Sequence, residues 1–319
     1  MADRYVYPYL ETGHIRLLHI LSIAPDICVR IDVVSLNKNP SLPEYTALSY
    51  LWGDDEPFGR VIIKPGGQEV EITKNLSICL SHLGDFVGTK IWIDALCINQ
   101  QDGEEKSRQV SNMASVYELA AKVLVWLGPS ADGSDVAMDG ITRFGGAAVD
   151  AGILDLENHH LKSWPDIGDD LVHVRTRDAL LALIAVVSNA EEDTSLEGER
   201  FPRVAYAALT HREYFSRVWI QQEVTLASHT VVMYGHKYAD AGRFRATILL
   251  YGWLMMWEFK EYSASRHMRM YGDFSEEMLR TAAAMGISRK LIRAPPVNPA
   301  VGILSRVGTN TYDSVPSSR

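Results

Sequence analysis

The pattern that most constrains the fold is a strand, a helix and a second strand between Lys90 and Leu127. Ile91-Trp92-Ile93-Asp94-Ala95-Leu96 is an almost unbroken apolar run, as a strand covered on both faces of a parallel sheet requires. Cys97-Ile98-Asn99-Gln100-Gln101 follows as the loop at its carboxyl end. Asp102 and Glu105 have the spacing of a capping box, and Val110, Met113, Val116, Tyr117 and Ala120 recur at helical period as its buried stripe. The chain returns as Val123-Leu124-Val125-Trp126-Leu127, closed by Gly128-Pro129. Two buried strands joined by a helix over this length form a βαβ unit, so a parallel sheet and a right-handed connection are expected here.

The flanking segments extend this core. His14–Ile20 and Ile27–Leu36 read as extended segments separated by Ala24-Pro25-Asp26, and Tyr45–Trp52 as a short strand ending at Gly53. Arg60–Lys64 and Gln68–Ile72 alternate around Pro65-Gly66-Gly67 as a β-hairpin, and Asn75–Leu83 has helical spacing. Further on, Asp132–Phe144 and Asp170–Asn189 read as helices and Glu191–Arg200 as an acidic loop. Arg217–Ala227 reads as a helix with Ser216 as N-cap, and His229–Tyr234 as a strand. Phe244–Arg293 reads as helical, before a Pro/Gly/Ser-rich tail expected to be loosely held.

Composition narrows the function classes. The formal charge is −9 and no basic block or basic-aromatic stripe occurs, which argues against a nucleic acid polymer or an anionic lipid surface as partner. Cys28, Cys79 and Cys97 cannot all pair and form no Cys-x-x-Cys, the usage of a reducing compartment. The N-terminus lacks the apolar run of a signal peptide, and Ala179–Val187 and Ile248–Trp257 are too short to span a bilayer. A cytoplasmic protein without a membrane span is the expectation. His159-His160 and the scattered histidines lack metal-ligand spacing, so no metal site and no cofactor are expected.

Three blocks carry a resemblance. They are Ala47-Leu48-Ser49-Tyr50-Leu51-Trp52-Gly53; Trp92 to Gln100, continuing through Glu105, Gln109, Met113, Tyr117 and Ala120 to Val125-Trp126-Leu127-Gly128; and Arg217-Val218-Trp219-Ile220-Gln221-Gln222-Glu223, followed by Ala227. In this order, over roughly residues 15–235, the chain resembles the heterokaryon incompatibility (HET) domain of filamentous fungi. The resemblance implies a role in non-self recognition after cell fusion, with programmed cell death as output. It also implies a distantly TIR-like, flavodoxin-like fold: a mostly parallel sheet flanked by helices, with N-terminal β-hairpin additions. The HET domain would occupy residues 1–240, with a helical insertion at about 130–212, and 241–319 would be a helical extension with a loose tail. Trp219-x-x-x-Glu223 is similar to the Trp-Cys-x-x-Glu segment of enzymatic TIR domains, with Ile220 in place of the cysteine. By that similarity Glu223 would cleave NAD, as substrate rather than cofactor, and self-association would complete or open the site.

The chemistry fits one carboxylate. The nicotinamide of NAD is already cationic and leaves neutral, so a group that orients the ribose and stabilises oxocarbenium-like charge suffices. Ser49, Tyr50, Trp52, Gly53, Asp94, Cys97, Asn99, Gln100, Asp102, Arg217 and Trp219 are the candidate ligand-binding residues. Most of them fall at the carboxyl ends of expected parallel strands, where open α/β sheets bind ligands. Several also have a plainer role. Glu223 can be a buried acid paired with Arg217 or a backbone amide, and Asp94 a capping group. Asn99 and Gln100 can hold their loop, the tryptophans can be core, and Cys97 can be inert packing. Ser49 lies in no Gly-x-Ser-x-Gly and has no histidine near it in sequence, so a nucleophile is not expected there. Two other functions remain open at this level: a non-enzymatic self-assembly module, and a HET-like tailoring enzyme for a small molecule with a closed apolar cavity.

Overall fold

The structure, a computed structural model, describes residues 3–36, 42–54, 56–155, 171–188, 201–216, 223–224 and 226–262. His159-His160, the loop Glu191–Arg200, most of the expected helix Arg217–Ala227 and everything after Tyr262 lie outside the described residues. Two units are distinguished: Met1–Phe144 with Phe201–Phe244, and Gly145–Arg200 with Arg245–Arg319. In the second, the helix Gly146–Asp150 packs against the helix Leu171–Ser188 and the turn Ile153–Asp155.

The first unit is built on one sheet. Its strands are β1 (His14–Ser22), β2 (Cys28–Ser35), β3 (Thr46–Tyr50), β4 (Pro57–Ile63), β5 (Gln68–Thr73), β6 (Lys90–Trp92), β7 (Lys122–Trp126), β8 (Thr230–Tyr234) and β9 (Lys237–Asp240), in the order β5-β4-β2-β1-β6-β3-β7-β8-β9. The centre, β6-β3-β7-β8, is parallel throughout. The β1–β2, β4–β5 and β8–β9 pairs are antiparallel, as is β1 against β6, so the sheet is mixed and flanked by helices. The expected hairpin is present, with Ile63 opposite Gln68 across the Pro65-Gly66-Gly67 turn. No helix among the described residues is long and apolar enough to cross a membrane.

The strand–helix–strand unit is real but arranged differently from a nearest-neighbour βαβ. β6 and β7 are parallel, yet β3 lies between them, pairing Thr46 with Ile91 on one side and with Lys122 on the other. β6 is also shorter than the apolar run. It stops at Trp92, and Asp94–Cys97 forms a helical turn, α2, in place of the expected strand to Leu96. The Asp94 carboxylate takes the Ala95 N–H at 2.7 Å, and the Leu96 and Cys97 N–H groups both reach the Ile93 carbonyl. Those local bonds bend the backbone out of the sheet although the side chains remain apolar.

The helix α3 (Gly103–Leu119) then packs on the sheet. Tyr117 meets Trp92 edge-on with centroids 5.6 Å apart, a pair worth about 0.5–1.5 kcal/mol beyond the area it buries. The Tyr117 hydroxyl donates to the Leu48 carbonyl, and Tyr45 on the strand side donates to the Val116 carbonyl. The expected stripe holds only in the C-terminal half of the helix. Val110 is 41% exposed, whereas Glu105 and Gln109 are buried. The first half of α3 faces Arg16 and the His14 carbonyl of β1, so polar side chains pack inward there. Half of the capping box also fails. Asp102 accepts from the Glu104 and Glu105 N–H groups as N-cap, but the Glu105 side chain goes to Arg16 and the Asn99 N–H.

Candidate active site

Ser49 lies one residue from the carboxyl end of β3, a strand with parallel neighbours on both sides. It pairs in register with Val125, and Tyr50 with Trp126. Alternation along a strand therefore turns Ser49 to one face of the sheet and Tyr50 and Trp126 to the other. On its face, the Ser49 hydroxyl donates to Glu223 Oε2 and lies 2.6 Å from the Tyr214 hydroxyl. All three side chains are enclosed: Ser49 is 1% exposed, Tyr214 2% and Glu223 3%. Burial strengthens such bonds, because no water competes for the donors. Glu223 thus has a hydroxyl of the central strand as a partner, and it sits at the strand tips.

A second constellation occupies the neighbouring loops. Trp52 Nε1–H donates to Asp94 Oδ2 at 2.8 Å, joining the loop after β3 to the turn after β6. The Trp52 carbonyl accepts from the Thr73 hydroxyl, and Asn75 Nδ2 donates to the Leu51 carbonyl. Gly53, at φ +72°, lets Asn75 approach so closely that a Cβ would stand 2.6 Å from its amide nitrogen. Gln100 Nε2 donates to the Asp94 carbonyl, while its Oε1 is buried and accepts no hydrogen bond. Asn99 takes the Gln101 N–H in an Asx turn, and Asp102 caps α3. In the geometry, Asp94, Asn99 and Asp102 all hold backbone; Asp94 in addition holds the indole of Trp52.

Cys97 is buried, and burial first of all pushes its thiol up to about 12, far from a thiolate nucleophile at neutral pH. Its carbonyl accepts from Arg16. Arg217 and Trp219 lie outside the described residues.

The sequence reading missed two groups. One is Tyr214, in the 3-10 turn Glu213–Ser216, which belongs to none of the three blocks. The other is Arg16, fully buried in β1, with both terminal nitrogens on the Glu105 carboxylate at 2.6 and 3.0 Å. Arg16 also donates to the Pro8 and Cys97 carbonyls and lies over the Tyr7 ring at 5.0 Å. Burial raises the Glu105 carboxyl, but Arg16 and the Asn99 N–H outweigh it and hold the group below its ordinary range. The signal available was one arginine inside the largely apolar run Ile15–Ile20.

An α/β unit with a buried carboxylate at the tips of parallel strands is the class of protein defined so far. The family model "Heterokaryon incompatibility protein (HET)" matches residues 45–223, more than half of the chain, and the chain belongs to that family. It is similar to heterokaryon incompatibility protein 6, OR allele, of Neurospora crassa, at 29% identity over 246 residues. That match covers 70% of this chain and 33% of the relative, so the chain spans about a third of the relative's length. No solved structure matches it. The match runs from Tyr45 to Glu223, so the Ser49–Glu223 bond joins its first block to its last.

Proposed function

We propose that the chain is a HET-type cell-death effector that hydrolyses NAD at the nicotinamide–ribose bond, with Glu223 as the acting carboxylate. The Ser49–Glu223 hydrogen bond at the end of β3 carries this reading. Numbered from β3, the parallel centre has the order 2-1-3-4, that of flavodoxin-like sheets, which supports a TIR-like core. In such sheets the chain reverses direction beside the first strand, and ligands bind outside the carboxyl ends there. Ser49 and, through it, Glu223 belong to that end. Water attacks the ribose carbon as nicotinamide departs with the bonding pair, giving ADP-ribose, nicotinamide and one proton. Glu223 stabilises the positive charge that develops on the sugar.

Glu223 is covered in the single chain, so self-association is proposed as the step that opens it to substrate. The test is nicotinamide release from NAD by the purified protein across a wide concentration range. Turnover rising with concentration and falling by about 100-fold or more in Glu223→Gln is expected. Turnover unchanged by that substitution removes Glu223 from the role.

The same enclosure favours a second reading, in which Glu223 fastens its segment to the sheet and the fold acts only by assembly. It expects concentration-dependent oligomers and toxicity on expression, with no NAD cleavage at any concentration.

A further inference from the structure

We infer that Tyr214 is a positioning residue for Glu223, acting through Ser49 in a one-directional chain of hydrogen bonds. A serine hydroxyl has one proton to donate and can accept on its oxygen. Toward Glu223 Oε2 it donates, and its one proton is spent there. At 2.6 Å from the same oxygen, the Tyr214 hydroxyl is then left as the donor. The order is Tyr214 O–H to Ser49 Oγ, and Ser49 O–H to Glu223 Oε2. Each bond polarises the next, and the three side chains are enclosed to 1–3% exposure, where such polarisation is least damped.

The chain also fixes direction. Ser49 is held by the register of β3 against β7, and Tyr214 packs edge-on to Phe215, with centroids 5.4 Å apart. Phe215 in turn lies against Phe244. The hydroxyl that meets Glu223 therefore arrives from rigid supports. A carboxylate meant to stabilise charge needs such a fixed donor behind it. This inference rests on the reading of Glu223 above, and its test is independent of turnover.

The experiment labels glutamate at the carboxyl carbon and follows the Glu223 resonance by NMR against pH, with Glu223→Gln as assignment control. Removing a donor to the ionised form raises the midpoint. Ser49→Ala is expected to raise it by about one to two units, and Tyr214→Phe by roughly 0.1–0.6 of a unit. In the Ser49→Ala background, Tyr214→Phe should add nothing, since its effect passes through the missing hydroxyl. A Glu223 resonance and midpoint indistinguishable from wild type in Tyr214→Phe overturns the inference. So does an equal shift with and without Ser49. Should Ser49→Ala fail to fold, Tyr214→Phe, which loses one oxygen, decides alone. If NAD is cleaved, Tyr214→Phe lowers kcat and leaves KM unchanged. If wild type cleaves none, the hydrolase reading falls and the NMR result still judges Tyr214.

Discussion

At the scale of single residues, the most consequential buried charge in the first unit is Arg16. Its guanidinium binds both oxygens of Glu105 and two carbonyls, and so ties Pro8, Cys97 and the start of α3 to β1. A buried pair contributes little net stability over an apolar isostere, but losing one partner strands the other. Arg16→Met should therefore cost about 3–5 kcal/mol, read from the urea midpoint. Glu105 also sets a pH dependence. Its folded carboxyl is held below the ordinary value of 4.5, so its contribution is complete above 4.5 and fades as pH falls toward the lowered value. Glu105→Gln should remove that acid-side loss and flatten stability below pH 4.5. An unchanged acid limb in urea titrations would remove Glu105 from this role.

At the scale of elements, the loop after β3 is shaped by the helix that follows β5. Thr73 caps α1 (Lys74–Ser81), accepting from the Leu76 N–H and donating to the Trp52 carbonyl. The capping contact at 3.4 Å is long, while the bond to Trp52 at 3.1 Å joins helix to loop. Thr73→Ala should cost about 0.5–2 kcal/mol, and Thr73→Ser should restore most of it because the hydroxyl is kept. Hydrogen exchange supplies the sharper reading. Faster exchange in Thr73→Ala should reach residues 51–54 as well as α1, and protection lost from α1 alone would show that the bond to Trp52 holds nothing.

At the scale of the molecule, the unit that carries the sheet is discontinuous in sequence, entering again at Phe201 after leaving at Phe144. The rings of these two residues are 5.5 Å apart, so the intervening residues depart and return at one place. Insertions with adjacent ends leave the host's core pairings intact. Replacing residues 145–200 by a short Gly/Ser linker should thus leave the sheet folded, seen as retained dispersion in amide NMR and a cooperative thermal transition. A molten spectrum would mean that the first unit needs residues 145–200 to form.

Sequence alone determined the family and most element positions. Three spaced blocks, alternating strands and the helical repeat after Asp102 are local properties, written in the order of residues. Periodicity reports that a strand is buried and never beside which strand: an order with β3 between β6 and β7 was implied only by the flavodoxin-like resemblance, and the antiparallel join of β1 to β6 was not legible at all. The same holds for the early end of β6, where the local bonds of the turn Asp94–Cys97 outweighed an apolar run, and for the outward Val110, whose place is taken by Gln109. Glu223 and Ser49 stood out as members of conspicuous blocks, but their mutual bond, and Tyr214 beside them, came only with tertiary structure. A hydrogen bond between residues 174 positions apart depends on how the whole unit packs, and no spacing along the chain encodes it. Arg16 teaches the same lesson: a charge inside an apolar strand demands a partner, and only the fold shows that it is Glu105.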